Sequence, residues 1–222
     1  MFGAKCHIAA LEKGLPVHVV MVAFTNSHRY EPKHPEVLRI NPKRQVPVLV
    51  HGDIEIFDST QIFEYFEDLQ PNPPLWPRSR IERATARLLE LKSDEVFFPH
   101  VIHLMGLQDR LSDPLAQDSM AALHLYYGEM EHRLTQRDYI ASDFGYADIA
   151  FFMAQLFAAR MGAPMGARTP ALLAWRERIA RRTAVRCVIQ QLINSLRQHD
   201  RPVPPFMLEA VTHQNAMDGH EA

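Results

Sequence analysis

The chain has 222 residues, 47% apolar and 23% charged, with 24 Lys and Arg against 26 Asp and Glu. That is a globular composition, long enough for one large domain or two small ones, and its near-neutral charge offers no bulk attraction to nucleic acid or an anionic membrane. Two cysteines make no disulfide framework, no apolar run reaches the length of a membrane span, and no basic-then-apolar signal segment opens the chain, so a reducing, cytoplasmic setting is expected.

Met1 to Lys13 carries Ala4, Ile8, Ala9, Ala10 and Leu11, an apolar helical stripe that stops at Gly14 before Pro16. Val17 to Val22 is a β-branched run of strand length. Val46 to Val50 and Ile54 to Phe57 flank His51-Gly52-Asp53 and predict a hairpin. A helix follows over Gln61 to Leu69, capped by Asp58 or Ser59. Four prolines between residues 70 and 77 forbid regular structure. Beyond them everything reads as helical. A capping box, Ser79-Arg80-Ile81-Glu82, opens a long helix that Pro99 should kink. Further helices are expected over Pro114 to Leu134, from about Ala147, from a Thr169-Pro170 cap, and from Thr183 to Ser195. Arg201 to Ala222 reads as a mobile tail with a short helical piece near Met207 to Thr212. The expected organisation is α+β: a small mixed domain over 1–70, a linker over 71–77, and an all-helical domain over 78–222. Residues 1–77 hold 7 basic and 9 acidic side chains and the rest 17 of each, so neither half is a charged interaction tail.

The segment Asn41-Pro42-Lys43-Arg44-Gln45-Val46-Pro47-Val48-Leu49 is the most informative. Proline inside a strand-like run belongs at an edge or bulge. A cis Val46–Pro47 bond would leave the Val46 backbone unpaired, able to bind an extended peptide through its N–H and C=O. On this segment alone a trans proline at an exposed edge is the plainer reading. Asp58-Ser59 stands at a helix start, where free amides and the macrodipole attract an anion, although most such pairs are plain caps. Both features fall within 13 residues, from Val46 to Asp58.

Taken together, Asn-Pro-x-x-Gln-Val-Pro-Val-Leu, then Asp-Ser-x-x-Ile-x-x-Tyr, then Pro-x-Pro-Pro-Leu-x-Pro resemble the glutathione-binding half of the glutathione transferase family. Ala9 to Pro16 is similar to the end of its first helix, Tyr146 to Ala150 to its buried capping region, and Pro170 to Val185 to its final helices. The resemblance spans about residues 4–195. It implies a thioredoxin-like domain followed by a helical domain, as a homodimer, with glutathione as co-substrate. By position it implies that Val46 pairs its backbone with the cysteinyl part of glutathione and that Pro47 is cis. It also implies that Asp58 and Ser59 hold the γ-glutamyl end, with Gln45 or Lys43 near the glycyl carboxylate.

Two departures stand out. The helical-domain capping box, usually opened by Ser or Thr, has Gly145 in that place, leaving Asp148 to reach back to its N–H. At the front, aligning Lys5-Cys6-His7-Ile8 with the family's first helix leaves no residues for the strand before it, and the Ser-type catalytic position falls just ahead of Met1. Losing a central strand strands buried backbone groups at roughly 1–3 kcal/mol each. The expectation is therefore that Met1 is internal and the cellular product begins about ten residues upstream. A truncated, non-catalytic relative is the alternative.

Cys6 and Cys187 read as buried structural thiols. Glu129-x-x-His132 lacks the second helical motif a di-metal bundle needs, and His100 with His103 lacks a third ligand, so no metal is expected. Arg176, Arg178, Arg181, Arg182 and Arg186 read as a solvated helix face. The resulting expectation is a glutathione transferase-like detoxification enzyme that activates the glutathione thiolate, near the first helix's N–H groups at Phe2 and Gly3, for attack on a small apolar electrophile. Phe97, Phe98, Val101 and Met105 are candidate lining for the electrophile pocket, with plain helical core the competing reading. The second functional reading is a non-catalytic interaction or regulatory protein on the same scaffold.

Overall fold

A computed structural model describes residues 1–22 and 33–212 of the chain. They form two compact units, Met1–Leu75 and the residues from Trp76 onward. The break falls in the proline-rich stretch, which holds neither helix nor strand.

The first unit runs α1 (Phe2–Glu12), α2 (Pro35–Ile40), β1 (Val48–His51), β2 (Ile54–Phe57) and α3 (Ser59–Leu69). Helix α1 buries Ile8, Ala9 and Ala10 against α3, whose own stripe is Ile62, Phe63 and Phe66. It ends in a Schellman motif. Gly14 takes φ +65°, its N–H donates to Leu11 O and the Leu15 N–H to Ala10 O, and Pro16 blocks any continuation. The hairpin is antiparallel with Val48 opposite Phe57 and His51 opposite Ile54. Gly52, at φ +59°, supplies the positive angle a two-residue turn needs at its first central position. The expected strand over Val17 to Val22 does not form: the run is without regular structure, and among the described residues the sheet has only β1 and β2. β-branched composition favours a strand only where a neighbour completes the ladder.

The second unit is helical: α4 (Arg80–Lys92), α5 (Phe98–Gly106), α6 (Pro114–Leu134), α7 (Tyr146–Arg160), α8 (Pro170–Ala180), α9 (Thr183–Gln198) and α10 (Pro205–Thr212). Ser79 precedes α4 without a side-chain cap bond, so the expected capping box is not made. Between α4 and α5 a π-helical turn, Ser93–Phe97, absorbs the disturbance expected from Pro99. The Phe98 N–H reaches back to Ser93 O, and the proline then sits in the first turn of α5, where its missing donor costs least. The core is built on α7, with Ile149 to Ala154 all fully buried. Phe151 lies 5.3–5.4 Å, centroid to centroid, from Phe97, Tyr126 and Trp175.

Asp148 ties this core together. Its Oδ1 accepts from the Ile140 amide (2.9 Å) and the Trp175 indole (2.8 Å), and its Oδ2 from the Gly145 amide (3.1 Å). The reach-back onto Gly145 is as expected. Helix α8 differs from expectation. The Thr169 hydroxyl donates to Gly166 O, while the Ala171 and Leu172 amides donate to the Glu131 carboxylate, supplied by α6. Helix α10, covering the expected helical piece, buries Met207 completely, so 201–212 is no tail; residues 213–222 lie outside the described ones.

Candidate functional site

In the first unit the loop from α2 to β1 and the start of α3 carry the residues singled out from the sequence. The Val46–Pro47 bond is cis. Val46 and Pro47 are half-buried, and among the described residues the Val46 N–H and C=O have no backbone partner. Lys43, Arg44 and Gln45 are exposed.

The loop is organised by Asn41, which is buried and caps the C-terminus of α2 through its N–H to Val37 O. Its side-chain Nδ2 donates to Gln45 O (2.7 Å), and its Oδ1 accepts from the Lys43 amide (2.9 Å). The Arg44 N–H donates to Asn41 O at 2.8 Å, and Arg44 takes φ +55°, a left-handed angle uncommon outside glycine. Sequence reasoning passed over Asn41. The signal was an Asn-Pro pair, which favours turn initiation, with the Asn side chain free to bond the backbone two residues on.

At α3, Asp58 has φ +77° and its Oδ1 accepts from the Thr60 and Gln61 amides, leaving Oδ2 outside those bonds. Ser59 is buried, and its carbonyl accepts from the Cys6 thiol at 3.8 Å, which holds the first turn of α3 against α1. A non-glycine residue at such an angle persists only where its surroundings over-determine it. The arrangement leaves a helix N-terminus, a carboxylate oxygen and an open main chain in one small unit, groups that suit a peptide carrying both ammonium and carboxylate.

In the second unit Phe97, Phe98 and Val101 are buried and Met105 is half-buried. Phe97 rests 5.2 Å from Tyr126 and 5.4 Å from Tyr127, and Phe98 6.2 Å from Phe157. These packing partners favour the core reading for Phe97; Met105 alone of the four keeps part of its side chain outside. His100 and His103 share a face of α5 and both approach the Ser119 hydroxyl, at 3.5 and 3.1 Å. Burial, with His103 nearby, lowers the His100 pKa. No group of three or more His, Cys, Asp or Glu side chains able to hold a metal occurs among the described residues.

Two expectations are corrected. Cys187 is exposed rather than core, because it faces away from the Val185, Val188 and Ile189 stripe of α9. The arginines of α8 and α9 are not simply solvated. Arg182 stacks 3.7 Å over Phe144 and Arg176 4.5 Å over Phe206, covering aromatic rings with their planar guanidinium groups. No helix among the described residues is long and apolar enough to cross a membrane.

Residues 1–69 match the family description "Glutathione S-transferase, N-terminal domain", and residues 95–183 match "Glutathione S-transferase, C-terminal domain". Glutathione S-transferase 2 of Saccharomyces cerevisiae is 28% identical over 202 residues, 85% of each chain. A stringent starvation protein A homolog of Coxiella burnetii is 29% identical over 100 residues, 44% of each chain, so less than half of that relative is spanned. The crystal structure of a glutathione S-transferase from Rhodospirillum rubrum F11 superposes with a TM-score of 0.72 at 25% identity, over 84% of this chain and 86% of that one. With a thioredoxin-like first unit, a helical second unit and both halves of the family description matched in order, the chain belongs to the glutathione S-transferase family.

Proposed function

We propose that the first unit binds glutathione and that the chain activates its thiol for attack on a small apolar electrophile. The observation that carries this reading is the open Val46 main chain before cis Pro47, held in the same unit as the Asp58–Ser59 helix start. Val46 exchanges main-chain hydrogen bonds with the cysteinyl residue. Ser59, through its amide and hydroxyl at the head of α3, receives the γ-glutamyl carboxylate, and Asp58 Oδ2 receives its ammonium. Lys43 and Gln45 meet the glycyl carboxylate. The chemical work is to lower the thiol pKa, and the amides at the start of α1, around Phe2 and Gly3, supply the positive end of a helix dipole for the thiolate. Met105 borders the electrophile, with Phe98 and Val101 beneath it. Electrophile capture of this kind is a detoxification chemistry. Neither Cys6 nor Cys187 is in a disulfide, in keeping with a reducing cytoplasm. Ile81, Leu88 and Leu125 are 80%, 55% and 79% exposed, which supports pairing of two copies through α4 and α6.

A second reading keeps the binding and drops the chemistry. It is favoured by the starvation-protein relative, which carries no enzyme's name. Retention on immobilised glutathione together with turnover of 1-chloro-2,4-dinitrobenzene is the expected result. Retention without turnover selects the second reading, and failure of both overturns glutathione recognition.

A further inference from the structure

We infer that Asn41 is a positioning residue of the glutathione site, its carboxamide folding the Lys43–Gln45 loop so that the Val46 main chain is presented ready for the ligand; this rests on the reading proposed above. Three bonds converge on this one residue. The carboxamide spans the loop from the Lys43 amide to the Gln45 carbonyl, and the Asn41 carbonyl takes the Arg44 amide. The residue is buried and anchored to α2 by its own N–H, so the loop is referred to a rigid element rather than to solvent. Gln45 O belongs to the peptide unit that continues directly into the Val46 N–H. Fixing that carbonyl fixes the plane of the amide that the ligand must meet.

The cost of the arrangement appears at Arg44. A side chain at φ +55° disfavours the loop conformation by a factor of about ten relative to glycine, and the Asn41 bonds offset it. Without them the loop spends most of its time elsewhere, and apparent affinity falls by the lost competent fraction. Arg44 itself is assigned no contact with ligand, so glycine in its place leaves binding nearly unchanged.

The test compares wild type with N41A, R44G and N41A/R44G by calorimetric titration with glutathione and by amide hydrogen exchange, with circular dichroism to check that each is folded. R44G is expected to bind within about twofold of wild type, N41A about tenfold more weakly, and the double variant to recover most of that loss. A residue needed only for overall stability would not be rescued by a glycine three positions away. Exchange at the Lys43 and Arg44 amides is expected to rise in N41A. Wild-type affinity in N41A, or a double variant no better than N41A, overturns the inference. If the wild-type chain does not bind glutathione, the functional reading fails by itself and exchange decides the loop: unchanged protection in N41A overturns the clamp, and lost protection supports it.

Discussion

Lys13 Nζ lies 2.7 Å from Glu67 Oε2, and the same ammonium donates to the Gln70 and Pro73 carbonyls at 2.7 and 2.9 Å. All three of its donors are used, and its side chain is wholly buried. Lysine at the end of α1 thus closes the C-terminus of α3 and pins the first prolines beyond it. Glu67 Oε2 also accepts from the Leu75 amide. Lys13→Met keeps the aliphatic volume but removes the ammonium from beside the Glu67 carboxylate and from both carbonyls. Breaking one side of a buried pair is costly, and the expected loss is about 3 kcal/mol, read from urea unfolding as a lower midpoint at unchanged slope.

Asp148 accepts three N–H bonds and donates none, so an isosteric amide cannot replace it. In Asp148→Asn one oxygen can still take Ile140 and Trp175, but the new NH2 faces the Gly145 N–H. A stability loss of about 1–3 kcal/mol is expected in denaturant titration at pH 7.

The same carboxyl links stability to pH. Burial pushes its pKa up to about 6, outweighing the hydrogen bonds that favour the anion. The folded state therefore holds this proton more tightly than the unfolded chain, where an ordinary aspartate titrates near 4. The proton-linked part of its contribution is full below about pH 4, is lost as pH rises toward 6 and is gone above it, leaving the hydrogen bonds of the anion. The stability advantage of wild type over Asp148→Asn, measured at pH 4.5, 5.5 and 7, is expected to shrink with rising pH. An advantage that grows instead would show an acid held ionised by its donors.

Glu131 caps a helix to which it does not belong. Glu131→Ala leaves the Ala171 and Leu172 amides at the head of α8 unpaired, for an expected loss of about 1–2 kcal/mol. Glu131→Gln retains one acceptor oxygen and should fall between the two in thermal unfolding.

The two thiols differ in access. Native protein is expected to release one equivalent of colour with Ellman's reagent, from Cys187 on the surface of α9. The second appears only on unfolding, because Cys6 is covered and bonded to Ser59 O. Cys187→Ser abolishes the fast phase.

Local chemistry wrote much of this structure legibly. Gly14 before Leu15-Pro16 marked the end of α1, Gly52 the hairpin turn, and the Asp58-Ser59 pair the start of α3, because each depends on backbone angles or caps set within a few residues. What depends on distant partners could not be read. Thr169 had every local mark of a cap, yet Glu131, 38 residues earlier, takes the amides of α8. Val17 to Val22 had strand composition, but composition does not provide a ladder. In the loop before cis Pro47, the proline could be picked out, whereas Asn41 could not, since it works by reaching Gln45 and Lys43 at once. The arginines of α8 were misjudged for the same reason: periodicity locates a side chain on a face but does not say that an aromatic ring waits there.

The uncovered Val17 to Val22 run has a practical side. Val20 and Met21 are 58% and 63% exposed. The six residues are rich in valine, contain no proline and carry no charge beyond a histidine. Apolar and exposed, such a stretch invites another copy to lie alongside it, and the growing stack then excludes water. Concentrated stocks of this chain should turn cloudy from that end of the molecule, and a lysine at position 20 is the first change to make in keeping them clear.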